Sequence, residues 1–499
     1  CSKNPSRVTS IYFRCKQGGN KTMLIKNQGQ TLGWVLAKNL TPMLRFDRIK
    51  ENKTQLLVNR DSGWQPLIDI DPSDTFYVLE VSPSAEFALA ISARGRNTAA
   101  LVRLDLADGS EQVLHEEADE DLAEIINFDL YDGKIDMVIP QVGDVTPVGF
   151  TKAGKKLATL IAKQGQHVSI DRLRWAGNGD FVTATLSVDA QSYSYHIFDL
   201  NLGTDTKISD FYFKTKHTDA LVPTETVQIT ARDGMKLNAL LLRPKGVDGA
   251  APMVLEVHGG PAGQVKWEYH HFRQFLVNRG YAVLAVNFRG SSGLGKIYQA
   301  AGYVEYGRKM QDDLVDATLW AIDQGIADPN AIAINGSSYG GYASAMGLVR
   351  DPDLFKAGII EHAMLDVAYQ SQYPPHSWGL YLGQWERYFG DINTPGDMEK
   401  MHQRSPINLV GQMQAAALMV AGKRDRVVGF EQTERFISTA KDLGKNIDSL
   451  IFENEGHGID KWQSRIRHAR RVEDFLAEHL GGRSGNWDWI EPIAAYLDN

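Results

Sequence analysis

From about residue 220 onward, short apolar segments alternate with longer segments of helical character. Two strand-like segments surround the turn Asp233-Gly234, and four further apolar segments of strand length follow, at residues 253–257, 282–286, 331–334 and 416–420. Strands that are joined by helix-length connections favour a mostly parallel sheet with helices on both of its faces. We therefore predict an α/β domain with a mostly parallel sheet and assign residues 218–499 to it.

The first half of the chain has a different pattern, with short strands and polar turns. Two segments of the form strand-Asp-Leu-turn contain Asp105 and Asp199, which lie 94 residues apart (199 minus 105). This spacing is close to two propeller blades of about 40–45 residues each. We count about four such units and predict an incomplete β-propeller of about four blades at residues 1–217. A generic antiparallel sandwich is the alternative.

Length and charge limit the class of protein. The 499 residues exceed what one hydrophobic core usually holds, so we expect two or more domains. The net charge of −8 argues against a nucleic-acid-binding protein, because such proteins usually carry a basic excess. No apolar run reaches the length of a membrane span. No signal peptide is visible, and the location stays open between cytoplasmic and periplasmic or secreted.

The two cysteines, Cys1 and Cys15, are too few for a disulfide framework, although one bridge between them is compatible with the sequence. The chain begins with cysteine rather than methionine, so we expect a processed or shortened N-terminus.

Two adjacent serines occupy the stretch "INGSSYGG", which lies between a short apolar segment and a segment of small residues. Gly336, Ser338 and Gly340 satisfy the pattern Gly-x-Ser-x-Gly, in which a sharp strand-to-helix turn presents the central serine. We therefore predict that Ser338 is a nucleophile and that Ser337, at a spacer position, points elsewhere. A Gly/Ser loop without chemistry is the alternative interpretation.

A nucleophilic serine requires a base and an acid that orients the base. Asp425 follows the apolar strand segment that ends near residue 420, and His457 lies in the loop "ENEGHGID" between two glycines. The chain order of serine, acid and histidine is the order that α/β-hydrolases use. Each residue alone could be an ordinary surface residue, but together they predict a Ser338-Asp425-His457 triad.

An oxyanion hole is the fourth element of such a site. The stretch "VHGGPAG" follows the strand segment at 253–257, and its glycines leave backbone N–H groups unobstructed. We predict that the amides of Gly260 and Tyr339 donate to the oxyanion. An ordinary Gly-Pro turn is the alternative.

These stretches resemble the prolyl oligopeptidase family of serine peptidases, and within it the acylaminoacyl-peptidase-like branch. The matching stretches include "HGGP", "VNFRGSSGLGK", "RSPINLV", "GKRDRVV" and "EGHGI". The resemblance implies a β-propeller over an α/β-hydrolase domain and the same three catalytic residues. Family propellers usually have seven blades, so the resemblance also implies that this chain is N-terminally shortened by about three.

Three other stretches suggest sites. Residues 290–297, "GSSGLGKI", nearly spell a phosphate-binding loop, but Ile297 stands where Ser or Thr would hold Mg²⁺. His270 and His271 lack ligands at metal-binding spacing, and we assign them to a helix surface. The aromatic-rich residues 371–390 are expected to line the substrate pocket, with an ordinary packed lid as the alternative.

The sequence thus predicts a serine hydrolase that cleaves peptide or acyl-peptide bonds through an acyl-enzyme. We expect a small peptide or ester substrate, no cofactor, no metal and no nucleic acid, while a homo-oligomer is compatible with the exposed strand edges of an open propeller. A carboxylesterase with the same triad is the first alternative. A non-catalytic propeller scaffold is a second alternative, from another functional class.

Overall fold

The computed structural model of the protein describes residues 11–13, 22–25, 27, 30–37, 40–49, 53–82, 84–126, 136–140, 147–165, 168–176, 180–188, 193–210, 220–375, 378, 382–485 and 489–498. Both cysteines and the predicted domain boundary at 217 and 218 lie outside these residues, so the boundary stays a prediction.

The first half consists of successive antiparallel sheets whose neighbouring strands follow one another along the chain. Its strands are β1 (Ile11–Phe13), β2 (Thr22–Ile25), β3 (Thr31–Leu36), β4 (Pro42–Arg48), β5 (Thr54–Arg60), β6 (Gly63–Ile70), β7 (Phe76–Val81), β8 (Phe87–Ser92), β9 (Ala100–Asp105), β10 (Glu111–His115), β11 (Leu122–Ile126), β12 (Met137–Pro140), β13 (Val148–Gly149), β14 (Val168–Ala176), β15 (Phe181–Val188), β16 (Ser194–Asp199) and β17 (Thr204–Asp210). They form the sheets β1-β2, β3 to β6, β7 to β10, β11 to β13 and β14 to β17. One helix, α1 (Lys152–Ala162), precedes the last of these sheets.

The repeated segments of the sequence occupy equivalent places in two of these sheets. Asp105 and Asp199 each end the third strand of a four-stranded unit. A side-chain oxygen of each aspartate accepts a hydrogen bond from the amide two residues later, at 2.7 Å for Asp105 and 2.8 Å for Asp199. Gly109 and Gly203 complete the two turns with φ values of +76° and +70°. The predicted strand-rich repeat is confirmed, whereas the number of blades and the open ring stay predictions.

The second half is built on one eight-stranded sheet with the order β18-β19-β21-β20-β22-β23-β24-β25. Its strands are β18 (Glu225–Thr230), β19 (Lys236–Leu242), β20 (Ala251–Val257), β21 (Ala282–Asn287), β22 (Ala327–Ser337), β23 (Ala357–Glu361), β24 (Ala416–Gly422) and β25 (Ile447–Phe452). The first two form an antiparallel hairpin, and the neighbouring strands from β21 to β25 run parallel. The predicted mostly parallel sheet is therefore confirmed.

Helices cover both faces of this sheet. They are α2 (His271–Asn278), α3 (Gly295–Ala300), α4 (Lys309–Asp323), α5 (Tyr339–Arg350), α6 (Val367–Gln372), α7 (Leu382–Phe389), α8 (Asp397–Gln403), a 3₁₀ helix (Pro406–Gln412), α9 (Phe430–Asp442), α10 (Trp462–Leu480) and α11 (Ile490–Asp498). One core cluster joins the sheet to α4, α5 and α9, and a second joins its other face to α2 and α10. Within the described part of the chain, no helix is both long and apolar enough to cross a membrane.

The stretch that resembles a phosphate-binding loop connects the two halves of the chain. Lys296 forms an ion pair with Asp74 of the first half at 2.7 Å. The side chain of Asn97 accepts a hydrogen bond from the amide of Ile297 at 2.9 Å, and the amide of Asp121 donates to the carbonyl of Gly293 at 2.9 Å. This stretch therefore serves as a contact between the domains, which explains its glycines without a phosphate.

A buried ion pair fixes the chain just before that contact. The guanidinium of Arg289 donates to Asp313 at 2.6 and 2.8 Å and to Asp233 at 2.7 and 2.9 Å. The side chain of Asp313 is fully buried, whereas that of Asp233 is 36% exposed. Arg289 thereby ties the β18–β19 hairpin and α4 to the end of β21.

We predict that the two partners of Arg289 differ in their contribution to stability. Asp313→Ala leaves a buried guanidinium without its buried partner, so the free energy of unfolding should fall by about 3–5 kcal/mol. Asp233→Ala removes a partly exposed partner and should lower it by no more than about 1 kcal/mol. Urea unfolding of both variants measures the difference, and equal losses would contradict this assignment.

Candidate active site

The turn between β22 and α5 holds Ser338 in an uncommon backbone conformation. Its φ is +59° and its ψ is −116°, in a region that residues other than glycine rarely adopt. The amide of Ser338 donates to the carbonyl of Glu361 at the end of β23 at 2.9 Å. Such strain persists only where the surrounding structure enforces it, and it is concentrated at functional sites.

Glycines allow this turn to pack directly against the neighbouring strands. A Cβ at Gly336 would lie 2.5 Å from the carbonyl oxygen of Val257, and a Cβ at Gly340 would collide with the same oxygen. Tyr339 is the first residue of α5, so its amide is among those without an acceptor inside the helix. The predicted strand-to-helix turn is therefore present, with a helix N-terminus directly behind Ser338.

Asp425 and His457 lie in the loops that follow β24 and β25, and a hydrogen bond joins them. Nδ1 of His457 lies 2.7 Å from Oδ2 of Asp425, whose side chain is 3% exposed. Burial acts to raise the pKa of the Asp425 carboxyl, but the hydrogen bonds from His457 and from the amides of Val428 and Val427 outweigh it and lower the pKa. An ionised carboxylate accepts from Nδ1–H, which leaves Nε2 of His457 unprotonated in the neutral ring.

The three predicted catalytic residues share one edge of the sheet. Ser338, Asp425 and His457 follow the carboxyl ends of β22, β24 and β25, which run parallel. Open α/β sheets bind their ligands at this edge. Within the described residues no hydrogen bond joins Oγ of Ser338 to the imidazole, as is common in sites without substrate.

The segment after β20 lies beside Ser338. A Cβ at Gly259 would lie 3.6 Å from the Cβ of Ser338. Gly260 has a φ of +131°, and a Cβ there would lie 2.5 Å from the amide nitrogen of Gly263, so only glycine fits. The two glycines 259 and 260 therefore lie beside the turn that carries Ser338, and the oxyanion role of Gly260 stays a prediction.

Ser337 has different neighbours from Ser338. Its Oγ lies 3.5 Å from Nδ1 of His362, which follows β23. The ring of His362 lies edge-to-face with that of His457, with a centroid distance of 5.9 Å. No pattern in the sequence points to His362, because its place in the site depends on the pairing of β23 with the neighbouring strands β22 and β24.

The first half contains a second Ser-His-Asp array that the sequence did not reveal. Oγ of Ser194 lies 2.8 Å from Nε2 of His196, whose Nδ1 lies 2.9 Å from Oδ1 of Asp205. Ser194 is 6% and His196 is 4% exposed. This array links β16 to β17 inside a sheet and offers no open serine, so we interpret it as a structural network.

The sequence profile described as the prolyl oligopeptidase family matches residues 267–483. The dipeptidyl aminopeptidase BIII of Pseudoxanthomonas mexicana is 31% identical over 501 residues, which cover 95% of this chain and 70% of that protein. The chain belongs to the prolyl oligopeptidase family. It is accordingly a serine-type peptidase, and the resemblance described above is confirmed.

Solved structures show the same fold over nearly the whole chain. A puromycin-hydrolyzing peptidase of Mycobacterium tuberculosis has a TM-score of 0.79 at 20% identity, covering 95% of this chain and 73% of that one. The Pyrococcus horikoshii acylaminoacyl peptidase has a TM-score of 0.66 at 19% identity, covering 93% of this chain and 72% of that one. Both support a strand-rich domain joined to an α/β-hydrolase domain.

In this member of the prolyl oligopeptidase family, a cavity of about 390 Å³ lies between the two halves. Residues 72–75 of the first half face residues 260–262 across it. Trp385, Arg387 and Tyr388, from the aromatic-rich residues 371–390, also line the cavity, and its role as the substrate pocket stays a prediction. The cavity therefore opens beside the predicted oxyanion residue Gly260.

A second cavity, which we call the rear pocket, lies on the α2 and α10 side of the sheet and has a volume of about 680 Å³. Its lining includes five histidines and two glutamates, namely His258, His270, His271, His362, His468, Glu256 and Glu361. Among the described residues, no group of three or more His, Cys, Asp or Glu side chains is placed so that it could hold a metal ion. The rear pocket is a cluster of titratable groups.

Burial sets the charge of these histidines. It lowers the pKa of His258 and of His270 to about 4, although Glu256 opposes the effect at both. Burial also acts on His468, but the neighbouring Glu361, at 3.2 Å, outweighs it and raises the pKa of His468. In the rear pocket, burial thus favours the neutral form of His258 and His270, whereas Glu361 favours the protonated form of His468.

We predict that acid destabilises the protein through the rear pocket. His258 and His270 titrate near pH 6.5 when unfolded and near 4 when folded, so the unfolded chain binds more protons between these values. The free energy of unfolding should therefore fall as the pH drops from about 6.5 to about 4. His468, whose pKa is raised, contributes stability that is already complete below about pH 6.5, so it leaves the trend in this range unchanged.

Urea unfolding at several pH values tests this prediction. His270 caps α2 through its side chain, so His270→Asn removes the titration and keeps a capping group. The decline in stability with acid should be shallower in this variant. The control variant His402→Asn changes an exposed histidine and should show the same loss of stability with acid as the wild type. Equal slopes of the free energy of unfolding against pH in the wild type and both variants would refute the prediction.

Proposed function

We propose that this peptidase hydrolyses its substrate through Ser338, His457 and Asp425. The observation that carries the proposal is the strained serine at φ +59°, which shares a sheet edge with a histidine that is hydrogen-bonded to a buried carboxylate at 2.7 Å. A nucleophile, a base and an orienting acid in this arrangement are the requirements of acyl transfer.

In the first step, Oγ of Ser338 attacks the carbonyl carbon of the scissile peptide bond while Nε2 of His457 takes the hydroxyl proton. The carbon–oxygen bond forms, and the carbonyl electron pair moves to the oxygen. The amides of Gly260 and Tyr339 donate to this oxyanion, and the N-terminus of α5 adds its favourable dipole. The oxyanion then collapses, the carbon–nitrogen bond breaks, and His457 gives its proton to the leaving amine.

In the second step, water takes the place of the amine. His457 removes a proton from the water as its oxygen attacks the ester carbon of the acyl-enzyme. Collapse of the second oxyanion breaks the bond to Oγ, and His457 returns the proton to Ser338. The carboxylic acid product leaves, and the enzyme is restored.

Asp425 keeps the base in the required tautomer. Its Oδ2 accepts from Nδ1 of His457, while its Oδ1 accepts from the amides of Val427 at 2.7 Å and Val428 at 3.0 Å. These bonds hold the carboxylate in place, and its negative charge stabilises the imidazolium that forms in each step.

We propose short peptides or acyl-peptides as substrates. The names of the relatives refer to a dipeptidyl aminopeptidase, a puromycin-hydrolyzing peptidase and an acylaminoacyl peptidase. The cavity beside Gly260 is lined by aromatic side chains that suit an apolar side chain of such a substrate. Ester hydrolysis is a side activity of the same triad.

We predict that Ser338, Ser337 and Ser194 differ in their contribution to catalysis. Ser338→Ala should lower kcat by about 10³-fold or more, because the nucleophile is lost. Ser337→Ala should keep most of the activity, and Ser194→Ala should keep the rate while lowering the melting temperature. Covalent labelling by a fluorophosphonate should disappear in Ser338→Ala alone. Comparable losses in Ser337→Ala and Ser338→Ala would contradict the assignment of the nucleophile.

A panel of substrates tests the proposed reaction. We expect cleavage of dipeptide anilides with a free or an acetylated amino group. We also expect cleavage of a p-nitrophenyl ester, because p-nitrophenolate is a better leaving group than an aniline. All three activities should be lost together in Ser338→Ala because they share one nucleophile. An enzyme that cleaves the ester but neither anilide would support the carboxylesterase alternative instead.

A further inference from the structure

His362 adopts a strained conformation at the end of β23. Its φ is +46°, and its amide donates to the carbonyl of Val420 in β24 at 2.9 Å. The residue is only 3% exposed, and within the described residues Nε2 of its ring is buried without a hydrogen-bond partner. Both the strain and the buried unpaired nitrogen oppose folding, so their presence calls for a functional reason.

The ring of His362 stands between His457 and the rear pocket. One side of it meets the ring of His457 at a centroid distance of 5.9 Å and an interplanar angle of 71°. His362, Ser337 and Gly458 line the rear pocket. Among the described residues that line it, neither Ser338 nor His457 is present. His362 is thus part of the wall that separates the base from a cavity of about 680 Å³.

We propose that His362 is a positioning residue that keeps the imidazole of His457 beside Asp425 and out of the rear pocket. Ser337, whose Oγ lies 3.5 Å from Nδ1 of His362, helps to hold the ring in place. The inference rests on the proposed role of His457 as the base.

The loop around His457 explains why such a wall is needed. Gly456 and Gly458 flank the residue, and glycines restrict the backbone less than other residues do. The hydrogen bond to Asp425 fixes one ring nitrogen, but a ring held at a single point can still tilt. Packing against His362 restrains that tilt, and the misplacement of a reacting group by about 1 Å can cost about 10²-fold in rate.

The charge state of His362 suits this role. Burial lowers the pKa of His362, and Glu361 opposes this effect. His457 lowers the pKa further. The two weaker effects oppose each other, because Asp425 raises the pKa and His468 lowers it. A neutral ring at neutral pH does not repel the imidazolium that forms on His457 during each step.

The test compares His362→Ala and His362→Asn with the wild type. Asparagine tolerates a positive φ, so this variant keeps the backbone while removing the ring. We expect kcat to fall by about 10-fold to 100-fold in both variants, with KM changed by no more than about threefold. The low-field proton resonance of the bond between His457 and Asp425 should broaden. Added imidazole should enter the enlarged rear pocket of His362→Ala and restore part of kcat.

The matched control is His402→Ala, which removes an exposed histidine and should leave kcat unchanged. A wild-type kcat in His362→Asn, together with an inactive His457→Ala enzyme, would overturn this inference and leave the proposed function standing. An active His457→Ala enzyme would overturn the proposed function itself. A loss of kcat without rescue by imidazole and without a change in the low-field resonance would show a merely structural role and would also overturn the inference.

Discussion

One close approach of backbone holds the candidate site together, between the carbonyl of Val257 at the end of β20 and the turn that carries Ser338. The turn can approach so closely because Gly336 and Gly340 have no side chains, and a Cβ at Gly336 would lie 2.5 Å from that carbonyl oxygen. On the other side, the carbonyl oxygen of Glu361 in β23 accepts a hydrogen bond from the amide of Ser338 at 2.9 Å. With a neighbouring strand fixed on each side, the turn has one available path, which sets the serine at a positive φ and aligns the start of α5 with the loop after β20.

Paired buried carboxylates reinforce the same edge of the sheet. Glu256 in β20 binds Arg273 of α2 at 2.8 Å, and Glu361 at the end of β23 binds His468 of α10 at 3.2 Å. The pKa of each glutamate is lowered, because in both cases the cationic partner outweighs the effect of burial. These pairs attach α2 and α10 to the strand ends and make the edge most stable when its carboxylates are ionised. The two pairs therefore help to fix the strand ends, and they add to the acid sensitivity that the buried histidines give to the rear pocket.

The sequence predicted what depends on local patterns. The Gly-x-Ser-x-Gly turn follows from a few adjacent residues, and Asp425 and His457 are predicted as acid and base because each comes after an apolar strand in the required order. The role of Lys296 could not be predicted, since its partner Asp74 lies 222 residues away in the other domain. The contact between Ser337 and His362 depends on the pairing of β22 with β23, which no local pattern specifies. Long-range pairing thus limits prediction here more than chemistry does.

The pleat of β22 explains why the turn carries two serines. Successive side chains of a strand point to opposite faces, so Asn335 and Ser337 both line the rear pocket, while Ile334 belongs to the core cluster on the other face. Ser338 lies one residue beyond the strand, where the sharp turn directs it away from that pattern. The same short segment can therefore present a nucleophile toward the loop after β20 and a supporting hydroxyl toward His362. On this view Asp425 holds the base from one side and the wall of the rear pocket holds it from the other.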